Sequence, residues 1–220
     1  MESREIIKKI NSIYSEYKIP ANVRRHMFSV AGVAKQICEN CDEKIDSNDL
    51  IATCLIHDLG NIIKMNFTDK NKIKLLDKED LKRLKYFKKK QKEFWEKYGQ
   101  DDNLANELIA KELNANSNVI FLLENKAIEN RPFEFWKNNL ALTILAYADC
   151  RVAPHGVVSM QERIDEYVKR NDYHKDPQKI EHTKKFEEFA KTMEKQLFGK
   201  LKIKPQDINQ DSIKKYTMEW

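Results

Sequence analysis

The chain has 220 residues, and 40 Lys+Arg against 35 Asp+Glu leave a net charge of +5, too small a surplus for a dedicated nucleic-acid tail. Five glycines and five prolines make 10 of 220 positions where ordinary usage gives roughly 26, and the closest glycines, Gly32 and Gly60, stand 28 positions apart. That spacing excludes G-x-G-x-x-G, Walker and G-x-S-x-G loops, and with 34% charged and 41% hydrophobic residues the expected fold is an all-α helical bundle.

The first expected helix, 2–17, carries Ile6, Ile7, Ile10, Ile13, Tyr14 and Tyr17 and stops before Pro20. A second, 21–40, places His26 in line with Val30, Val33, Ala34 and Ile37, so its imidazole belongs to the buried face. Asp46-Ser47-Asn48-Asp49 is an N-cap cluster, and the apolar run Leu50 to Ile56 leads into His57-Asp58-Leu59-Gly60, with Gly60 as the expected helix stop. Residues 78–98 read as a charged amphipathic helix. Cations and aromatics interleave over 82–98, but Leu84, Phe87, Phe94 and Tyr98 share one stripe, which favours a solvated face over a nucleic-acid surface. Helices are also expected over 103–115 and 117–129.

A second strongly apolar helix, 137–151, runs from Leu140 through Ala148 into Asp149-Cys150-Arg151, and Pro154 and Gly156 break the chain after it. Ser159 with Glu162 forms a capping box for a helix to about Arg170, and a long polar helix is expected from Pro177 to Leu197. The final 20 residues lack a period and are expected to be peripheral. Cys38-x-x-Cys41 has no second ligand pair, so the cysteines read as small apolar residues. No apolar run approaches the roughly 20 residues of a membrane span, and the charged stretch Met1 to Glu5 lacks a signal-peptide core, so a cytoplasmic protein with no membrane partner is expected.

Two apolar helices ending in aspartate need a physical reason. An ionised carboxylate buried without a partner costs several kcal/mol. No Lys or Arg lies within the turn preceding Asp58 or Asp149, and Arg151 falls on a different helix face from Asp149. His57 adjoins Asp58, and His26 faces inward from another helix. Two imidazoles and two carboxylates suit one divalent ion such as Mn, Fe, Co or Zn, with Mg also open.

In these residues the sequence resembles the HD superfamily of metal-dependent phosphohydrolases, named for the pattern H…HD…D. His26 lies in Arg24-Arg25-His26-Met27, His57-Asp58 in Cys54-Leu55-Ile56-His57-Asp58-Leu59-Gly60, and Asp149 in Ala146-Tyr147-Ala148-Asp149-Cys150-Arg151. The resemblance implies a single HD-type helical domain with its core over about 20–165 and a helical extension over about 175–220. It also implies a metal held by His26, His57, Asp58 and Asp149, and hydrolysis of a small phosphate ester, expected to be a nucleotide. Dinuclear members place two further histidines between the HD pair and the last aspartate. Here His155, His174 and His182 all follow Asp149, so a mononuclear site is expected. Asn61 stands where HD-GYP phosphodiesterases carry Lys and deoxynucleoside-monophosphate phosphatases carry Glu, and the Glu-Asp pair that guanosine-tetraphosphate hydrolases place shortly after their HD is missing.

The chemistry implied is hydrolysis by a metal-activated water, with a free oxygen of Asp58 orienting or deprotonating that water. Arg25, Lys64 and Arg151 are the expected phosphate clamps, and His155 an acid or substrate contact. Alternatives from other classes are a nucleic-acid-associated helical protein using residues 82–98 and an HD fold kept as a ligand sensor or interaction module without turnover.

Overall fold

The computed structural model describes residues 1–43, 45–69, 73–126, 135, 138–173, 176–218 and 220. Among them lie eleven α-helices and one two-stranded sheet, so the all-α expectation holds. None of these helices is long and apolar enough to cross a membrane. The chain packs as two compact units, each assembled from separated stretches: Met1–Phe28 with Asn48–Ala127 and Trp220, and Ser29–Ser47 with Ile128–Glu219.

In the first unit, α1 (Ser3–Glu16) buries Ile6, Ile10, Ile13 and Tyr14 along one stripe, as its spacing requires. The Tyr14 hydroxyl donates to the Leu55 carbonyl over 2.7 Å, tying α1 to the last turn of α3 (Ser47–Ile56). Every residue of α3 from Leu50 to Ile56 is buried, which accounts for its nearly unbroken apolar run. The chain leaves α3 through His57 to Gly60 and enters a 3-10 turn, Asn61–Lys64. Residues Ala21–Phe28 begin α2 (Ala21–Glu39), whose remainder belongs to the second unit.

Gly60 does not act as a left-handed helix stop. Its φ is −81°, and α3 has already ended at Ile56. Glycine is needed there for close approach: a Cβ would sit 2.8 Å from the Ala105 Cβ of α6 (Asp102–Glu112), and the Gly60 N–H donates to Asn106 Oδ1 over 2.6 Å. The expected helix over 78–98 is two helices, α4 (Lys78–Lys82) and α5 (Leu84–Tyr98), parted at Arg83. Buried Asp80 of α4 accepts the Ala21 N–H at the start of α2, satisfying a donor that the helix itself leaves open.

On α5, Phe87, Phe94 and Tyr98 are buried as the stripe predicts. Gln91 donates to the Ile62, Ile63 and Met65 carbonyls over 2.8, 3.2 and 2.7 Å, and Trp95 Nε1 adds a bond to Ile63. The helix that invited a nucleic-acid reading thus clamps the turn that follows His57-Asp58. Helix α7 (Ser117–Glu124), capped by Asn116, ends before the expected limit of 129; residues 127–129 lie outside those described.

In the second unit, α8 (Leu140–Cys150) is capped by Asn139 and followed by the hairpin β1 (Val152–Ala153) and β2 (Gly156–Val157). The start of the expected 137–151 helix, at 137, is outside the described residues. Helix α9 (Met160–Arg170) opens with the expected Ser159/Glu162 capping box, and α10 (Pro177–Phe198) follows Asp176. Residues 201–218 are integral to this unit, contrary to the expectation that the final 20 residues are peripheral. Ile208, Ile213 and Tyr216 are buried, Gln36 of α2 donates to the Asp207 carbonyl, and the hydroxyl of Tyr216, on α11 (Lys214–Thr217), donates to Glu39.

Candidate metal centre

His26, His57 and Asp58 come together within the first unit, their potential ligand atoms all within 4.8 Å of one another. The Nε2 atoms of His26 and His57 each lie 3.8 Å from Asp58 Oδ2, and the two rings are tilted with centroids 5.4 Å apart. Two ligands each about 2.1 Å from a shared ion stand roughly 3–4 Å apart, so the two 3.8 Å separations are compatible with a shared ion.

Each side chain is delivered by a different local device. Helical periodicity turns half-buried His26 to the same side as Val30, Val33, Ala34 and Ile37, four residues that are fully buried. His57, 1% exposed, donates from Nδ1 to the Cys54 carbonyl over 2.7 Å. Because a carbonyl only accepts, this bond assigns a proton to Nδ1, so that in the neutral ring the lone pair is on Nε2, the nitrogen that faces Asp58. Asp58 sits in the turn after α3, where Asn61 Nδ2 donates to its Oδ2 over 2.9 Å. The donor set, a carboxylate with two imidazoles of which one has its tautomer fixed, fits a divalent ion.

Asp58 Oδ1 faces Lys126, whose Nζ is 3.4 Å away and donates to the His57 carbonyl over 2.8 Å. Burial works to raise the Asp58 pKa, but a protonated His57, then Lys126, Lys64 and a protonated His26, outweigh it and hold the carboxyl well below the usual carboxylate range. A carboxylate so stabilised is a good ligand and a poor proton acceptor near neutrality.

The expected clamps are differently placed. Arg25 makes a two-pronged ion pair with Asp77, at 2.5 and 2.6 Å. Lys64 closes the 3-10 turn and pairs with Asp102 over 2.7 Å, and its charge helps to lower the Asp58 pKa. Arg151 is a correction in kind: it is 3% exposed, and every guanidinium nitrogen is committed inside the second unit. Nε donates to the Val158 carbonyl, Nη1 to the Tyr147 hydroxyl and Nη2 to the Pro205 and Ile208 carbonyls. His155 is exposed in the turn between β1 and β2. Asp149 occupies the last turn of α8, half-buried, in the second unit, and His174 is outside the described residues. Burial, then the neighbouring Asp149 charge, pushes the Cys150 thiol up to about 12; burial, then Cys41, does the same for Cys38. Neither supplies a thiolate near neutrality.

Lys126 was missed by sequence reasoning. The only available signal was a cation two residues beyond the apolar helix α7, with no periodic relation to the HD pair.

A family model described as an HD domain matches residues 11–146. The match contains His26, His57, Asp58 and Lys126 and ends three residues before Asp149. No curated protein and no solved structure matches the chain.

Proposed function

Since the chain belongs to the HD-domain family, whose members bind a divalent metal and are in general metal-dependent phosphohydrolases, we propose that it hydrolyses a small phosphate ester, with a nucleotide as the substrate class. The observation that carries this reading is the His26, His57 and Asp58 cluster, in which the His57 tautomer is set by Cys54. The H…HD…D order implies Asp149 as a fourth ligand. Mn, Fe, Co, Zn and Mg are the candidate ions.

A bound divalent ion supplies a water of lowered pKa and withdraws charge from phosphoryl oxygens. The protein's share is positional. Cys54 and α3 fix the His57 ring, and Asn61 fixes Asp58 from the Oδ2 side. With its carboxyl held low, Asp58 serves as a ligand, and proton abstraction falls to another group or to solvent. Metal analysis of protein purified without chelator, with a panel of nucleoside mono-, di- and triphosphates and p-nitrophenyl phosphate, tests the reading. The expected result is a stoichiometric divalent metal and turnover that His57→Ala abolishes. Protein that neither holds nor takes up a divalent ion, and that matches His57→Ala on every substrate, overturns it.

A further inference from the structure

Beside the ligand cluster, the structure provides a cation that is held in place but not saturated. The Lys126 side chain is 13% exposed, and lysine is rarely buried without strong pairing. Its short hydrogen bond goes to a neutral acceptor, the His57 carbonyl at 2.8 Å, while the Asp58 oxygen lies at 3.4 Å, long for a charge-assisted bond. An ammonium has three donors, and among the described residues two acceptors are in reach. The other cations near the HD pair are already engaged, Arg25 with Asp77 and Lys64 with Asp102.

Resting on the phosphohydrolase reading, we propose that Lys126 binds the phosphoryl group of the substrate, its third N–H donating to a phosphoryl oxygen beside the metal ligands. The His57 carbonyl and Asp58 act as an anchor that fixes the ammonium without satisfying it. Electrostatics point the same way. The charges of Asp58 and Lys126 cancel, so a divalent ion leaves the cluster positive. Only an anion balances that charge, and a phosphoryl group is a concentrated one.

Calorimetric titration of inorganic phosphate into the Mn(II)-loaded full chain, alongside Mn(II) titration alone, tests this. Lys126→Met is expected to weaken phosphate binding by about tenfold or more, with Mn(II) affinity kept within about threefold; Lys126→Arg is expected to keep both within about threefold. Lys126→Gln, which retains a donor for the His57 carbonyl, is expected to lose phosphate as the Met variant does, and it decides the matter if the Met variant does not fold. Unchanged phosphate affinity in these uncharged variants overturns the proposal. So does a parallel loss of Mn(II), which makes Lys126 a positioning residue. Wild-type protein that binds Mn(II) but no millimolar phosphate overturns the proposal and leaves the metal reading standing. Failure to bind any divalent ion removes the functional reading itself.

Discussion

The ends of α3 and α8 are chemically alike in sequence, each an apolar helix running into an aspartate, and they differ in how the nearest cation is used. After α3, Asp58 lies between two histidine nitrogens, is held by Asn61, and faces Lys126, which comes from 68 residues further along the chain. After α8, the cation next to Asp149 in sequence, Arg151, is drawn into the second unit and joins the hairpin, Tyr147 and the Pro205–Ile208 segment. Charge partners are chosen through space: the arginine two positions away became a structural cross-link, and a remote lysine became the cation at the site.

The largest effects should separate the two ends. Asp58→Ala and His57→Ala are expected to lower Mn(II) affinity by more than about 100-fold, beyond the range for residues that merely support ligands, as read by equilibrium dialysis. Arg151→Met should act on stability, because it strips donors from a buried hydroxyl and three carbonyls. A loss of roughly 3–5 kcal/mol is expected from urea unfolding. Wild-type stability in Arg151→Met with weakened phosphate binding would erase the contrast and return Arg151 to the role of clamp.

What the sequence discloses and what it conceals divide along the same line. His26 and the HD pair are legible because helical period and adjacency are local properties: the stripe from His26 to Ile37 fixes which way the imidazole faces, and the apolar run of α3 fixes how deep His57 lies. The Ser159 capping box is local in the same sense. Lys126 is not, since nothing about position 126 specifies the turn after α3 as its neighbour. The C-terminal segment hid its burial because Ile208, Ile213 and Tyr216 are spaced across a 3-10 turn, bends and a four-residue helix, so no single period registers them. Gly60 was legible as punctuation but not as a contact, because its reason is the surface of α6.

That contact gives an intermediate effect. Gly60→Ala places a methyl 2.8 Å from the Ala105 Cβ, 3.1 Å from the Asp102 carbonyl oxygen and 3.2 Å from the Asn106 nitrogen. Two of these are backbone atoms with little room to yield, so the variant should lose about 1–3 kcal/mol. Because the displaced turn carries Asp58, Mn(II) affinity should fall by roughly tenfold as well. Ala105→Gly removes one of the three clashes and should restore part of both losses in the double variant, whereas full additivity would show that the turn and α6 are energetically independent.

The smallest effect concerns Arg25, the neighbour of a metal ligand that turned to a surface partner. The Arg25–Asp77 pair is largely solvent-exposed, so Arg25→Ala should cost only about 0.2–1 kcal/mol at pH 7 and low salt. The hydrogen bond from Arg25 lowers the Asp77 pKa in the folded protein. A depressed folded pKa adds stability above the unfolded carboxylate value of about 3.9, and that stability is lost as pH falls through the folded value. The difference between wild type and Arg25→Ala in urea unfolding should therefore be present at pH 7 and shrink on acidification below pH 4. It should also fall with added salt, as expected of an exposed pair. A difference that persists at low pH and high salt would mean that Arg25 stabilises the protein through the packing of its aliphatic stem, and a loss of phosphate affinity in the same variant would place its guanidinium among the phosphate-binding groups.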